Sequence, residues 1–170
     1  IEQHDHYIKQ TYRNRCTIAG PDGELALSIP TVKPDTLKCP MKDIRISDHG
    51  NWRHLHWNAI ESAYNNTPFF EYYKDDFRPF YEKKYEFLID FNEEICRLVC
   101  QLIDIQPNIE RTSAYKMEFS AEETDFRESI HPKKDFRTTD PEFSPQPYYQ
   151  VFESKLGFLP NLSIIDLLFN

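Results

Sequence analysis

Two histidines near the amino terminus are the side chains best suited to acid–base chemistry. His4 and His6 lie on either side of Asp5. Alternate residues of an extended strand point to the same side, so both imidazoles would face one ligand or one proton, and Asp5 would point away. Imidazole titrates near neutral pH and acts as an acid, a base or a metal ligand. We predict a catalytic role for His4 and His6, against the alternative of a polar strand end in solvent.

Three cations follow in a chain whose formal net charge is −8. Arg13 and Arg15 share one face of a predicted strand, and Lys9 lies close by in the sequence. A guanidinium group matches two phosphate or carboxylate oxygens at once. We predict that these three cations converge on an anionic small molecule. The alternative is a set of cross-strand ion pairs with acidic residues of the hairpin.

A strand-to-helix junction is a second candidate for anion binding. Asp48 and His49 precede a predicted helix that contains Trp52 and His56. Unpaired N–H groups and the helix dipole favour an anion at such an N-terminus. We predict that Asp48, His49 and Trp52 bind substrate and that His56 orients the substrate or the base. The alternative for His56 is a hydrogen-bonded core histidine.

The same side chains also compose a possible metal site. His4 and His6, with Asp48 or His49, have the donor types of a metal-dependent hydrolase. Whether His4 and His6 bind a metal stays open, so the sequence assigns neither a metal nor a cofactor.

Composition disfavours several functional classes. An acidic chain with a pI near 5.2 and no Lys/Arg run repels nucleic acid. No apolar stretch reaches the roughly 20 residues that span a bilayer, and the four cysteines lack a disulfide pattern, so we expect a cytoplasmic protein with reduced thiols. With four glycines, the chain has no dinucleotide fingerprint, P-loop or nucleophile elbow, and it also lacks a zincin motif.

The elements that position these groups indicate one mixed α/β domain over residues 1–170, with an amino-terminal β-meander followed by helices. Alternation of polar and apolar residues predicts strands at 1–8 and 11–19, a turn at 20–23 and a return strand at 25–31. A further short strand is expected at 43–47.

In the rest of the chain, segments with helical periodicity lie on both sides of one polar excursion. Ser47 or Asp48 is expected to cap a helix whose buried stripe runs from Trp52 through Leu55 to Ala63. The remaining predictions are a long helix over 82–103, a polar excursion over 106–146 with a strand at 115–119, and helices over 148–156 and 163–170.

Several motifs in order resemble the WbqC-like protein family from end to end. They are Tyr7-x-Lys9, Asn14-Arg15, the Leu27 to Val32 strand with Pro30, the run Trp52-x3-His56-x3-Ile60-x3-Tyr64-x3-Pro68-Phe69-Phe70, and the segment from Ser163 to Asn170. The likeness is closest to a subgroup from Bacteroides-type bacteria. It adds Tyr7 and Asn14 to the predicted substrate-binding residues.

The resemblance also carries functional and structural implications. It implies a first strand and helix before Ile1 and a few residues after Asn170. Members occur among genes for O-antigen and other surface polysaccharides, which implies a cytoplasmic step on a nucleotide-linked or lipid-linked sugar. Many members have an acidic pair before the Tyr-x-Lys motif. This chain has Gln3-His4-Asp5-His6 there, so the family's acid–base role is not carried over.

These observations predict an enzyme of bacterial surface-polysaccharide synthesis that transfers a small group to or from an anionic molecule such as a nucleotide sugar. The first alternative is a non-catalytic accessory protein that docks onto a polysaccharide enzyme through the polar excursion 106–146 and the aromatic cluster Phe69, Phe70, Tyr72 and Tyr73. The second is the metal-dependent hydrolase. The oligomeric state stays open.

Overall fold

An antiparallel hairpin begins the fold, with strands β1 (Arg15–Gly20) and β2 (Gly23–Ser28). A computed structural model describes residues 1–36, 38–140 and 142–170 of the chain. The register pairs Arg15 with Ser28 and Gly20 with Gly23. Gly23 has φ of 126°, a conformation that favours a residue without a Cβ atom. The predicted hairpin and its turn are confirmed.

The sheet is smaller than the predicted meander. Residues 1–14 make one isolated bridge, at His6, and the predicted strand at 43–47 contributes only bridges at Arg45 and Ile46. Local alternation does not define the distant partner that a strand needs, so these two predictions were wrong in detail. The class itself, a mixed fold with a small amino-terminal sheet followed by helices, is confirmed.

A series of helices follows the hairpin. The described residues form α1 (Trp52–Tyr64), α2 (Phe70–Phe77), α3 (Pro79–Glu82), α4 (Leu88–Leu102), α5 (Phe136–Thr139), α6 (Glu153–Leu156) and α7 (Ile164–Phe169). Single 3-10 turns occur at Met41–Asp43 and His49–Asn51. Asn51 is the residue before α1, so Ser47 and Asp48 do not cap that helix as predicted.

The predicted long helix over 82–103 is interrupted at its start. α3 ends at Glu82, Lys83 is extended, and α4 begins only at Leu88. The Glu86 carbonyl accepts a backbone hydrogen bond from Ile46, and the Leu88 N–H donates to the carbonyl of Ile44. Pairing with this distant segment therefore replaces the helical hydrogen bonds that local periodicity predicts.

The carboxyl-terminal third also departs from prediction. Residues 115–119 contain no strand, and the predicted helix over 148–156 is reduced to α6. α7 confirms the helix predicted near the end of the chain. In α1, Leu55 is 59% exposed while Trp57 is buried, so the buried stripe is rotated from the predicted one.

Two groups of buried side chains form the core. The hairpin cluster consists of Ile18, Leu27, Trp57, Ile60, Ala63, Tyr64, Phe70, Phe77, Ile165 and Phe169. The loop cluster consists of Ile29, Met41, Ile44, Ile46, Trp52, Phe80, Tyr85, Leu88, Ile89 and Phe91. Tyr81, Ile95 and Leu98 pack against both clusters, which places α3 and α4 at the junction.

Candidate ligand site between the hairpin and the helices

A cavity of about 380 Å³ lies where the two clusters meet. Its wall includes Leu27 and Phe77 from the hairpin cluster and Ile29 and Phe91 from the loop cluster. Pockets for small organic ligands begin at about 300 Å³. The cavity is therefore large enough for a small molecule.

Besides Tyr12, Leu27, Ile29, Phe77 and Phe91, five parts of the chain deliver side chains to this cavity. They are Asn14, Arg15 and Cys16 at the start of β1, His56 from α1, Tyr81 from α3, Asn92, Ile95, Cys96 and Val99 from α4, and Ser163 to Ile165 at the start of α7. On α4, Asn92, Ile95 and Val99 recur at intervals of three and four residues, which places them on one face of the helix.

Arg15 supplies the cavity with a cation. Its Nε donates to Ser28 Oγ at 2.9 Å, across the first pair of the hairpin. Within the described parts of the chain, no acidic side chain forms an ion pair with Arg15. Because the guanidinium group carries five donors, most of its hydrogen-bonding capacity is open to an anion.

Two neutral polar groups in the cavity wall also lack partners. Asn14 donates from Nδ2 to the Ile29 carbonyl at 3.0 Å, but its buried Oδ1 accepts no hydrogen bond from any described residue. The hydroxyl of Tyr81 likewise makes no hydrogen bond to the described residues. A buried polar group without a partner costs free energy, so Asn14 Oδ1 favours a ligand that supplies a donor. The Tyr81 hydroxyl is available to a ligand as well.

His56 is a neutral member of the site at physiological pH. Its side chain is 9% exposed and contacts Trp52 edge to face, with ring centroids 5.1 Å apart. Burial lowers the pKa of His56 to about 4, and the nearby Ser28 carbonyl offsets this only in part. The ring can accept or donate a hydrogen bond near pH 7, but it does not carry a positive charge.

The potential nucleophiles in the cavity are protonated at neutral pH. Burial raises the pKa of the Cys16 thiol to about 11, although a hydrogen bond with Ser163 opposes the shift. Burial also raises the pKa of Tyr81, and the neighbouring Cys16 adds to the rise. The resting site therefore suits binding and proton transfer better than attack by a thiolate or phenolate.

The amino-terminal candidates lie outside this cavity. Of the three cations expected to converge, only Arg15 lines it, because Arg13 forms an ion pair with Asp5 and also donates to the His6 carbonyl at 2.6 Å. Lys9 is exposed. The structure therefore does not bring the three cations together at this cavity.

His4 and His6 are not on the expected strand face. His4 Nε2 lies 3.2 Å from the Thr112 carbonyl, which ties it to the start of the polar excursion, whereas His6 is exposed. Tyr7 is half-buried outside the cavity, and burial raises its pKa. The structure thus separates these three residues from Asn14, Arg15 and His56.

The strand-to-helix junction forms a second, separate cavity of about 370 Å³. Asp48 contributes to its wall and is neutralised by Arg53 at 2.6 Å and Lys84 at 2.8 Å, which hold the pKa of Asp48 below its usual range. His49 is exposed. Trp52 is buried and donates from Nε1 to the Ser47 carbonyl at 3.0 Å. Tyr81 lines both cavities.

The sequence does not single out Asn92 or Tyr81, and it presents Ser163 only as the first residue of a family motif. Each reaches the cavity from an element that lies far along the chain from Arg15, and no local spacing connects them. Periodicity on α4 indicates which face is apolar, but it does not indicate which other element that face meets.

Two further features concern metal binding and membrane insertion. Within residues 1–36, 38–140 and 142–170, no cluster of three His, Cys, Asp or Glu side chains has the arrangement of a metal site. In the same part of the chain, the helices are too short or too polar to cross a bilayer.

Comparison with known proteins gives one result. Neither a curated protein nor a solved structure matches the chain. The model of the WbqC-like protein family matches residues 1–170, the whole of the sequence. The chain therefore belongs to the WbqC-like protein family.

Proposed function

We propose that this chain is a cytoplasmic enzyme of bacterial surface-polysaccharide synthesis that binds an anionic small molecule in the Arg15 cavity and transfers a group to or from it. The observation that carries the proposal is Arg15, which lies in the wall of an otherwise mostly apolar cavity without an acidic partner in the described structure. The association of the family with polysaccharide genes supports the proposed role in surface-polysaccharide synthesis.

The neutral groups around Arg15 have complementary roles in this proposal. Asn14 Oδ1 accepts a hydrogen bond from the ligand, and His56 orients the ligand or moves a proton as a neutral imidazole. His4, His6, Lys9 and Arg13 have no assigned part in this cavity.

Calorimetric titration with UDP-glucose and dTDP-glucose tests the proposal. We expect saturable binding by the parent, weakened about tenfold or more by Arg15→Ala, because a charged hydrogen bond contributes about 1.5–3 kcal/mol. Arg45→Ala is the matched control, since Arg45 is exposed, pairs with Glu86 at 2.7 Å and lies outside the cavity. If neither nucleotide sugar binds the parent saturably, these compounds are not its ligands.

A docking role is the second candidate, and one observation favours it. Phe69 is 52% exposed and Tyr72 is 75% exposed, whereas Phe70 is buried in the core. The aromatic surface is therefore smaller than the sequence suggests. Co-purification with polysaccharide-assembly enzymes that is lost in a Phe69→Ser, Tyr72→Ser double variant would support docking. Unchanged co-purification would remove this surface from consideration.

A further inference from the structure

The chemistry of the cavity wall restricts which part of a ligand it accepts. Leu27, Ile29, Ile95, Val99 and Ile165 present hydrocarbon to the interior. A sugar ring placed against these side chains would leave its hydroxyls without partners, and a buried unpaired hydroxyl is costly. The wall therefore favours an apolar ligand group over a sugar.

The polar groups define the other requirements. Arg15 can bind an anion, the Tyr81 hydroxyl can donate to an acceptor, and Asn14 Oδ1 stays available to a donor elsewhere on the substrate. Charge is present at one residue, while the apolar residues come from β2, α4 and α7. The combination matches an anionic head beside a hydrocarbon body.

We infer that the cavity holds the acyl group of an organic acid, or of a substrate that carries one, with its anionic group on Arg15 and its chain along Ile95 and Val99 of α4. This inference rests on the proposed function, because it specifies the ligand of the same cavity. It assigns the apolar wall to recognition of the acyl chain and leaves any sugar of the substrate outside.

A series of straight-chain carboxylates tests the inference. We expect the affinity of the parent, measured by calorimetry, to rise about fourfold for each methylene from butanoate to octanoate, the increment for burial of one such group. Octanol should bind more weakly than octanoate, and Arg15→Ala should reduce that difference. Affinity that does not depend on chain length would overturn the inference.

Two variants test whether the acyl chain of the ligand lies in the cavity. Val99→Trp fills the space beside α4, and Ile164→Trp narrows it from a position that is 40% exposed and tolerates a larger side chain better. Each should weaken octanoate binding at least tenfold. Val32→Trp is the control, because Val32 is 48% exposed and lies outside the cavity. Equal octanoate affinity in the control and in a folded cavity variant would contradict the inference.

The nucleotide-sugar titrations separate this inference from the proposed function. If UDP-glucose binds in an Arg15-dependent manner and carboxylates do not, the acyl inference fails while the proposed function stands. If carboxylates bind and UDP-glucose does not, the inference stands and nucleotide sugars are removed as ligands. If neither class binds, both proposals fail.

Discussion

At the scale of single residues, the buried carboxylate of Asp166 joins the two ends of the helical region. Asp166 is fully buried and accepts hydrogen bonds from Tyr64 Oη at 2.5 Å, Tyr148 Oη at 2.8 Å and Gln150 Nε2 at 3.2 Å. Tyr64 Oη in turn accepts the Ala19 N–H at 3.3 Å. The network therefore ties α7 to α1, to β1 and to the segment that precedes α6.

Asp166→Ala should be strongly destabilising, because it leaves buried donors without an acceptor. Each such donor costs about 1–3 kcal/mol, so we expect the free energy of unfolding to fall by about 3 kcal/mol or more. Urea unfolding followed by circular dichroism measures the change. Asp76→Ala, at an exposed position of α2, is the control and should stay close to the parent. A similar small effect for Asp166→Ala would contradict a structural role.

His56 should make the fold sensitive to acid. Its pKa is about 4 in the folded chain against 6.5 in the unfolded chain, so the unfolded state takes up a proton first as pH falls. The stability that depends on a neutral His56 is complete above pH 6.5 and decreases by about 3 kcal/mol towards pH 4. Urea unfolding of the parent and of His56→Gln at pH 7 and pH 4 isolates this contribution. An equal loss in both proteins would contradict it.

At the scale of elements, the hairpin depends on the backbone conformation of Gly23. No atom lies within 4 Å of a Cβ added there, yet φ is 126°. Gly23→Ala should therefore cost about 1–3 kcal/mol through backbone strain and not through a clash. Thermal unfolding measures this cost, with Asp22→Ala in the same turn as an exposed control. If Gly23→Ala is as stable as the control, the turn adopts another conformation without penalty.

The elements that could be predicted are those whose cause is local. The hairpin follows from alternation around Gly20 and Gly23, and α1 follows from apolar residues at helical spacing. The break between α3 and α4 could not be predicted, since Glu86 and Leu88 bond to a segment about 40 positions earlier. Leu55 was misplaced because two aromatic residues, Trp52 and Trp57, determine which face of α1 is buried.

At the scale of the whole molecule, the same contrast between local and long-range causes explains which residues of the candidate site could be predicted. Arg15 and His56 could be identified as chemically suitable from the sequence, but their meeting with α4 and Ser163 depends on how the two core clusters pack. Arg13 could not be excluded in advance, because its ion pair with Asp5 requires the chain to turn back between residues 5 and 13. Residue types thus indicated the chemistry, and tertiary packing selected the participants.

The long polar stretch is attached to the core without contributing to it. Among the described residues, none between 103 and 149 is buried, whereas Ile165 and Phe169 after this stretch belong to the hairpin cluster. Thr112 and Arg111 hold the start of the stretch, through the Ile1 carbonyl at 2.9 Å and through Asp90 at 2.7 Å. An exposed stretch of this kind is the preferred target of a protease.

Limited trypsin digestion should therefore cut first within residues 116–134, where Lys116, Lys133 and Lys134 are exposed, and later at Arg97 within α4. Because residues 150–170 pack into the hairpin cluster, the two fragments should elute together in size-exclusion chromatography until denaturant is added. Mass spectrometry of early time points identifies the first cleavage. A first cut within α1 or α4, or fragments that separate at once, would show that the stretch is part of the cooperative core.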